Sequence, residues 1–339
     1  MQKIILLFLC SLSFAQDNNT TVQNHNYIDQ AHSILSNQTE SMAIAIDDFI
    51  ANKIDTFLYQ PKNQAVHDPG KADALFQSEK FLNETRKSFI KLSTHGQYNS
   101  KDANDFGETI SASLALNRSN QKFKLFINNL NSDQIDTLTE KADNTEGKTE
   151  IGLSFFEGIN KSVASKYSLG TRGFYPFTRA RFSYKKMIDD WKIEPVQSFE
   201  YSTKDEFKEH TIVYFDKNMA HRKMLFRIEV QRGSSTKGEG MDYDALLHLF
   251  WTPNDKEGLQ ITQGFYGNTK YVATVNDATG ETQIFSGINN YLTQITYRRN
   301  IWRKWFFYEL SPGVNFSKAH DFKPNYRIFA KFDIIFGKI

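Results

Sequence analysis

The sequence predicts an all-β fold: an antiparallel transmembrane β-barrel of about 14 strands (12–14), preceded by a short α-helical segment. Apolar and polar residues alternate along segments of about ten residues, the segments are joined by alternately short and long connections, and every tryptophan falls at one end of them. A mean hydropathy of −0.53 excludes a bundle of membrane helices. A net charge of +2 argues against a polycation that binds nucleic acid.

Residues 1–15 are predicted to be a cleaved secretory signal peptide. Lys3 precedes the apolar run Ile4–Phe14, and the run ends in the small residues Ser13 and Ala15, as a cleavage site requires. A single membrane anchor is the alternative, but the run is too short to cross ~30 Å of hydrocarbon. The chain is therefore expected to be exported.

Cys10 is the only cysteine of the chain. It follows Leu9, a large residue at a position where lipoprotein cleavage needs a small one. If the signal peptide is removed, the mature chain has no disulfide, no thiolate nucleophile and no cysteine-bound metal.

Residues 16–85 are predicted to be an acidic, helical periplasmic prefix. Residues 16–84 carry ten acidic residues and four lysines, whereas the part that follows has a net charge of +7. Apolar residues at helical spacing predict one amphipathic helix over about 38–59, and Asn37 with Glu40 resembles a capping box at its start. Three placements stay open: packed on the barrel or on itself in the periplasm, inserted in the lumen as a plug, or lying in the membrane interface.

The barrel is predicted to occupy residues 86–339, where the period of the apolar residues changes to two. The pattern is clearest near the end of the chain, where Tyr326, Ile328, Ala330 and Phe332 alternate with polar residues. The predicted strands lie near 87–98, 108–117, 122–131, 149–158, 165–174, 176–187, 191–202, 207–217, 221–233, 242–252, 258–268, 290–300, 304–317 and 325–337.

An even number of strands places both ends of the barrel in the periplasm, with short turns there and longer loops outside. The two longest predicted connections, Ser132–Lys148 and Thr269–Asn289, follow odd strands and are therefore outer loops. Pro195 and Pro312 fall inside predicted strands, where each removes a ladder donor, so bulges are expected at both.

The four tryptophans test the barrel prediction independently. Trp191, Trp251, Trp302 and Trp305 all fall at predicted periplasmic ends of strands. Indole rings favour the membrane–water interface, so these residues are expected to form an interface girdle. A soluble β-sandwich also alternates but has no reason to collect its tryptophans at one end.

The C-terminal third carries a family resemblance. The stretches Tyr297–Asn300, Trp305–Phe316 (WFFYELSPGVNF) and Phe332–Gly337 (FDIIFG), with Ile46–Phe49 (IDDF) near the start, resemble an uncharacterised outer-membrane β-barrel family of Gram-negative bacteria. The resemblance implies the fold and an outer-membrane location, and no chemistry. The chain departs from the usual aromatic terminal residue of such barrels, since Phe336 is followed by three more residues.

No catalytic or metal-binding motif is present in the sequence. It has no glycine-rich phosphate loop, zinc-type histidine pair or serine elbow. His248 is the one histidine with a firm inward assignment, and we interpret it as a structural lumen residue. No cofactor, metal or enzymatic activity is therefore expected, and a rim enzyme such as a lipase is disfavoured.

The inward-facing positions are charged and become the candidate lumen and selectivity residues. The candidates are Lys91, Lys124, Arg172, Arg179, Arg181, Arg227, Glu229, Arg298, Glu309 and Lys331. Two arrangements are open. The cations of the first six strands and the last, with Arg327, could face Glu194, Glu200, Asp244 and other carboxylates across water. Alternatively, cations and carboxylates could pair with one another and fill the lumen.

Two function hypotheses follow. The first is a passive outer-membrane channel or transporter for small polar or anionic solutes, based on the polar lumen and its basic residues. The second is a non-conducting structural or interaction barrel that acts through its outer loops or its helical prefix. The expected partners are outer-membrane lipid and the barrel-assembly machinery, with no nucleic acid; the oligomeric state is left open.

Overall fold

The computed structural model describes residues 24–54, 70–85, 87–116, 123–129, 149–157, 162–238, 240–276 and 281–337. The predicted signal peptide and the predicted outer loop 132–148 lie outside the described residues. Within them are three α-helices: α1 (Asn24–Ile54), α2 (Lys71–Phe76) and α3 (Glu79–Glu84). None of these helices is long and apolar enough to span a bilayer.

The remaining elements are strands of a single antiparallel sheet. In chain order they are β1 (Phe89–Asn99), β2 (Asp105–Leu116), β3 (Phe123–Asn129), β4 (Thr149–Glu157), β5 (Val163–Arg172), β6 (Tyr175–Tyr184), β7 (Lys186–Ile188), β8 (Trp191–Ser202), β9 (Glu206–Met219), β10 (Met224–Ser235), β11 (Met241–Trp251), β12 (Glu257–Asn276), β13 (Glu281–Asn300), β14 (Phe306–Ser317) and β15 (Pro324–Gly337).

The sheet closes into a barrel of 14 crossings. β1 pairs with β15, and both β6 and β7 pair with β8 in one register, so these two short strands form a single crossing. Closure leaves no free sheet edge, which is the condition for strands to cross a membrane. The predicted fold class and strand number are confirmed. The strands predicted with ambiguous faces, near 165–174 and 207–217, are present as β5 and β9.

The prediction of a long connection over residues 269–289 is wrong. β12 and β13 continue through most of it as a paired hairpin of two 20-residue strands, with register shifts after Tyr266, Asn268 and Thr274. The neighbouring strands end earlier, since β11 pairs with β12 no further than Asn268. Adjacent apolar residues such as Tyr271 and Val272 interrupt the alternation in this part of the sequence, so a period of two did not mark its strands.

The bulges predicted at Pro195 and Pro312 are also wrong. The register between β14 and β13 is the same on both sides of Pro312, and the register between β8 and the β6–β7 crossing is the same on both sides of Pro195. Each proline instead coincides with a local gap in one ladder. A missing N–H donor therefore interrupts the hydrogen bonding here without adding a residue.

The two faces of the wall differ sharply in chemistry, as β15 shows. Tyr326, Ile328 and Phe332 are exposed on the outer face by 63%, 49% and 44%. Lys331 and Asp333 of the inner face are almost fully buried. An apolar outer belt with charged residues inside is the arrangement of a barrel surrounded by lipid.

Helix α1 is longer than predicted and presents a different face. It begins at Asn24 rather than near residue 38, so the predicted capping box falls within the helix. Its buried side chains are Thr39, Ala43 and Asp47, while Met42 of the predicted apolar stripe is 52% exposed. The predicted end, residues 55–59, lies outside the described residues.

Helix α1 packs against the end of the barrel where the chain enters and leaves, which we call the terminal end (Phe89 and Gly337). It contacts β15, β1 and β2. The His32 ring stacks on Trp305, with 4.3 Å between centroids, and the backbone N–H of Gly337 donates to Ser36 Oγ. The structure therefore places α1 on the barrel and not in its lumen.

Helices α2 and α3 lie inside the barrel at its terminal end, and we call residues 70–85 the lumen plug. Apolar plug residues and inward residues of β1, β11, β14 and β15 form one buried cluster: Ala72, Leu75, Phe76, Phe81, Phe89, Phe250, Phe307 and Ile335. This segment falls within the predicted periplasmic prefix, and no sequence signal distinguishes it there. Its two helices have six residues each, too short for a clear apolar period.

Gly258 of β12 provides the space into which α2 fits. A Cβ at this position would lie 2.7 Å from Leu75 Cδ2 and 3.0 Å from Phe76 Cε2. We therefore expect Gly258→Ala to destabilise the protein by about 1–3 kcal/mol through overpacking. Urea unfolding of the refolded protein measures this. Gly233→Ala is the matched control, because a Cβ there meets atoms at 3.6 Å. Equal unfolding midpoints for the two variants would contradict the packing of α2 against β12.

Candidate functional site

The lumen plug is fixed to the wall by a buried arginine. Arg227 of β10 donates to both carboxylate oxygens of Asp73 in α2, at 2.7 and 2.9 Å. The same guanidinium donates to Asp216 of β9 at 2.6 and 3.0 Å, and its exposure is only 2%. A planar guanidinium can bind two carboxylates bidentately in this way, so one residue holds the plug and two wall strands together.

A second charged contact is made by α3, the other helix of the plug. Lys80 of α3 donates to Glu194 of β8 at 2.6 Å and lies 3.6 Å from Asp216. Burial and the neighbouring Arg227 both favour the neutral amine, but the carboxylates of Glu194 and Asp216 outweigh them, so the pKa of Lys80 is raised above its usual value. Lys80 is therefore charged at neutral pH, and its ammonium lies 4.2 Å from the centre of the Tyr214 ring.

The end of α3 is held by wall lysines. Lys124 of β3 donates to the backbone carbonyls of Leu82 and Thr85, at 2.8 and 3.2 Å, where the carbonyls of a helix C-terminus attract a cation. Lys185, between β6 and β7, lies 3.0 Å from Glu84 and 3.3 Å from Glu194. The plug is therefore held both by charged groups of the wall and by the apolar cluster.

A separate charged cluster lies toward the opposite end of the lumen, near the β5–β6 and β8–β9 turns. Arg172 donates to Glu150 at 2.6 Å, to Glu200 at 2.8 Å and to Asp205 at 2.8 Å. Arg179 adds bonds to Glu200 at 2.7 Å and to Glu150 at 3.0 Å. Two arginines and three carboxylates thus satisfy one another across four strands and the β8–β9 turn.

A third cluster joins β13, β14 and β15. Arg298 is 1% exposed and lies 2.5 Å from Asp333 and 3.1 Å from Glu309. Lys331 lies 3.7 Å from Glu309, and Ser93 of β1 donates to Asp333 at 2.6 Å. The cluster therefore extends across the pairing of β1 with β15, which closes the barrel.

The structure places all ten sequence-predicted lumen residues at buried or half-buried inner positions. It brings Arg172 and Arg179 into one cluster and Arg298, Glu309 and Lys331 into another, and it joins Arg227 and Lys124 to the plug. Lys91 is fully buried, and Glu229 lies 3.9 Å from His248. His248 is itself buried and hydrogen-bonded to Thr262 at 2.9 Å. Arg181 has a different environment, described below.

These contacts are paired charges and not two opposed walls. Glu150 lies on β4, among the strands predicted to be basic, and Arg227 and Arg298 are the centres of clusters on the side predicted to be acidic. Sequence reasoning missed Asp73, Lys80, Glu150, Asp205, Asp216 and Asp333 as partners. The alternating period could have identified Glu150 and Asp216, which occupy inward positions, whereas nothing periodic marks Asp73 or Lys80.

The four tryptophans lie at the terminal end of the barrel. Trp191 begins β8, Trp251 ends β11, and Trp302 and Trp305 lie in or beside the β13–β14 turn. Trp251 and Trp302 are exposed by 45% and 61%. Within the described residues, no group of three or more histidine, cysteine or acidic side chains is placed to hold a metal ion.

No protein-family model matches this chain. No curated protein matches it either. Solved structures similar to it include a loop-deletion mutant of OmpT, an outer membrane protein of Vibrio cholerae, with 8% identity, a TM-score of 0.43 and coverage of 73% of this chain and 98% of that one. An anion-selective porin from Comamonas acidovorans gives 6% identity, a TM-score of 0.43 and coverage of 74% and 98%. A bacterial polysaccharide outer membrane secretin gives 9% identity, a TM-score of 0.45 and coverage of 74% of this chain and 98% of that one.

Proposed function

We propose that this protein is an outer-membrane channel for small polar or anionic solutes, closed at its terminal end by the lumen plug. The observation that carries the proposal is how the lumen is filled. Eight strands give an interior that wall side chains fill by themselves, whereas 14 strands enclose more space. Here a separate segment, residues 70–85, occupies that space, so displacing it would open a passage lined by the charged clusters and by the apolar wall residues that now pack on the plug.

The location follows from the same wall. A closed sheet with an apolar outer face and a charged interior is stable in lipid and has no stable alternative in water. With an even number of crossings, both ends of the barrel lie on one side, which we assign to the periplasm. The plug and the tryptophans are then on the periplasmic side, and the projecting β12–β13 hairpin is outside.

A non-conducting interaction barrel is the second candidate. Two observations favour it: ion pairs join neighbouring wall strands and the plug in three clusters, and β12 and β13 extend beyond the rim as a surface available for contact. Conductance distinguishes the two candidates, because only the channel requires the plug to leave its position.

A disulfide lock tests whether plug movement opens the channel. Asp73→Asn weakens the plug's bond to Arg227 but leaves the wall pair Arg227–Asp216 in place. In that background, the pair Leu75→Cys and Gly258→Cys is designed to join α2 to β12 by a disulfide. A Cβ at position 258 would lie 2.7 Å from Cδ2 of Leu75, so the two side chains are neighbours. We expect conductance steps in planar bilayers from Asp73→Asn, loss of the steps when the cysteine pair is oxidised, and their return with reductant.

The mature chain suits this experiment because it is expected to have no cysteine of its own. The Asp73→Asn protein without the cysteine pair is the control for effects of the oxidant. If the folded, reduced Asp73→Asn protein is silent, the channel proposal fails and the interaction barrel is favoured. If oxidation leaves the steps unchanged, the plug is not the gate.

A further inference from the structure

Two inward cations face each other directly on neighbouring strands. Lys166 of β5 and Arg181 of β6 are cross-strand partners in the β5–β6 ladder. Like charges at directly opposite positions destabilise a sheet unless something compensates them. In the other clusters of this lumen, each arginine has at least two carboxylates as compensation.

Neither of these two cations has a carboxylate partner among the described residues. Lys166 Nζ donates to the amide oxygen of Asn83 at 2.9 Å and lies 5.7 Å from the centre of the Phe156 ring. Arg181 is only 9% exposed, and its Nη2 is buried with no hydrogen-bond partner in the described part of the chain. Leaving a buried charged donor unsatisfied is costly, so a missing partner is indicated.

A third cation strengthens the positive charge at this place. Lys124 Nζ lies 5.5 Å from the centre of the same Phe156 ring that Lys166 approaches. The Nζ atoms of two lysines therefore share one aromatic ring, with the Arg181 guanidinium across the strand from Lys166. Their combined field attracts a negative charge.

A cavity lies beside these cations, between the end of α3 and the barrel wall. Its volume is about 50 Å³, and its lining includes Asn83, Glu84, Phe156, Lys166, Arg181 and Lys185. We call it the seam cavity. Of the two carboxylates that line it, Glu84 is already bound to Lys185 at 3.0 Å, and Glu157 is exposed. The volume accommodates a few water molecules or one small anion.

We propose that the seam cavity is a binding site for a small oxoanion, such as a phosphate or a carboxylate group, held by Arg181 and Lys166. Guanidinium and ammonium groups are the usual donors to such oxygens, and the free Nη2 of Arg181 is the group without another partner. The bound anion separates the two opposed cations and bridges the plug and the wall. The site does not require the channel to conduct, so binding and conductance are measured separately.

Calorimetric titration of the refolded, full-length mature protein tests the site, with inorganic phosphate and acetate as separate probes at constant ionic strength. We expect saturable binding of at least one of them, and a loss of affinity of tenfold or more in Arg181→Gln. Lys208→Gln is the matched control, since it removes one lumen cation that has a carboxylate nearby, 3.4 Å away in Asp205. Its affinity for the anion is expected to stay within twofold of the wild type.

A second measurement does not depend on ligand binding. Without phosphate or acetate, Arg181→Gln is expected to unfold at the same or a higher urea concentration than the wild type, because it removes one of two opposed cations. Lys166→Gln serves as the second variant and gives the same two results. The site is disproved if folded wild-type protein binds neither probe, if Lys208→Gln loses affinity as Arg181→Gln does, or if removing either cation destabilises the anion-free protein. Binding without conductance would disprove the channel alone.

Discussion

Arg227→Met is expected to lower the free energy of unfolding by about 3–5 kcal/mol, the usual result of removing one partner from a buried ion cluster. The substitution leaves the carboxylates of Asp73 and Asp216 close together in the lumen with one fewer cation. Methionine has nearly the length of the arginine stem, so lost packing contributes little. Urea unfolding, followed by the shift in electrophoretic migration between folded and unfolded barrel, measures the change.

The same variant is expected to release the plug, because it removes the buried ionic contact between α2 and the wall. Conductance steps should therefore become more frequent in Arg227→Met than in the wild type. Arg232→Met is the matched control: it lies on the same strand, is half exposed and is 3.7 Å from Glu209. Its effect should stay within about 0.5 kcal/mol. Equal losses of stability in the two variants would show that Arg227 does not anchor the plug.

Phe332→Arg is expected to destabilise the membrane-embedded protein by about 2–4 kcal/mol, because it places a cation on the lipid-facing side of β15. Phe332 is 44% exposed on the outer face, and its ring stacks on Phe306 with 6.1 Å between centroids. Equilibrium unfolding in lipid vesicles measures the cost.

Tyr326→Arg provides the depth control for this measurement. It lies on the same strand and the same face, but near the end of the barrel opposite the plug, and is 63% exposed. Arginine near the interface should cost no more than about 1 kcal/mol. If both variants are as stable as the wild type, the outer face of β15 does not contact hydrocarbon, and the membrane assignment is wrong.

Two kinds of contact, ionic and apolar, hold the plug in the barrel. Arg227, Glu194 and Asp216 bind it from β8, β9 and β10, whereas Phe89, Phe250 and other apolar residues pack against it from β1, β11, β14 and β15. Ion pairs can re-form with water or mobile ions, but an exposed apolar cluster cannot be compensated in that way. We therefore expect the ionic contacts to separate before the apolar ones when the plug moves.

The sequence by itself determined the barrel: the strands and which side chains face inward. Alternation of apolar and polar residues is a local signal with a period of two, so each strand reports its own inner and outer face without knowledge of its neighbours. This is why β15 and β11 were predicted to within one residue of their ends. It is also why the charged inner residues could be predicted before any of their partners was known.

Only the tertiary structure decided what fills the lumen and which charges meet. Arg227 and Asp73 are 154 residues apart, and Lys80 and Glu194 are 114 apart, so no local period connects them. Helix α1 likewise extends to Asn24, well before its predicted start, where contacts such as His32 on Trp305 join it to the barrel. Closure of the sheet brings these distant residues into contact. The paired lumen, the plug and the seam cavity therefore follow from barrel geometry, whereas the wall itself follows from the pattern along each strand.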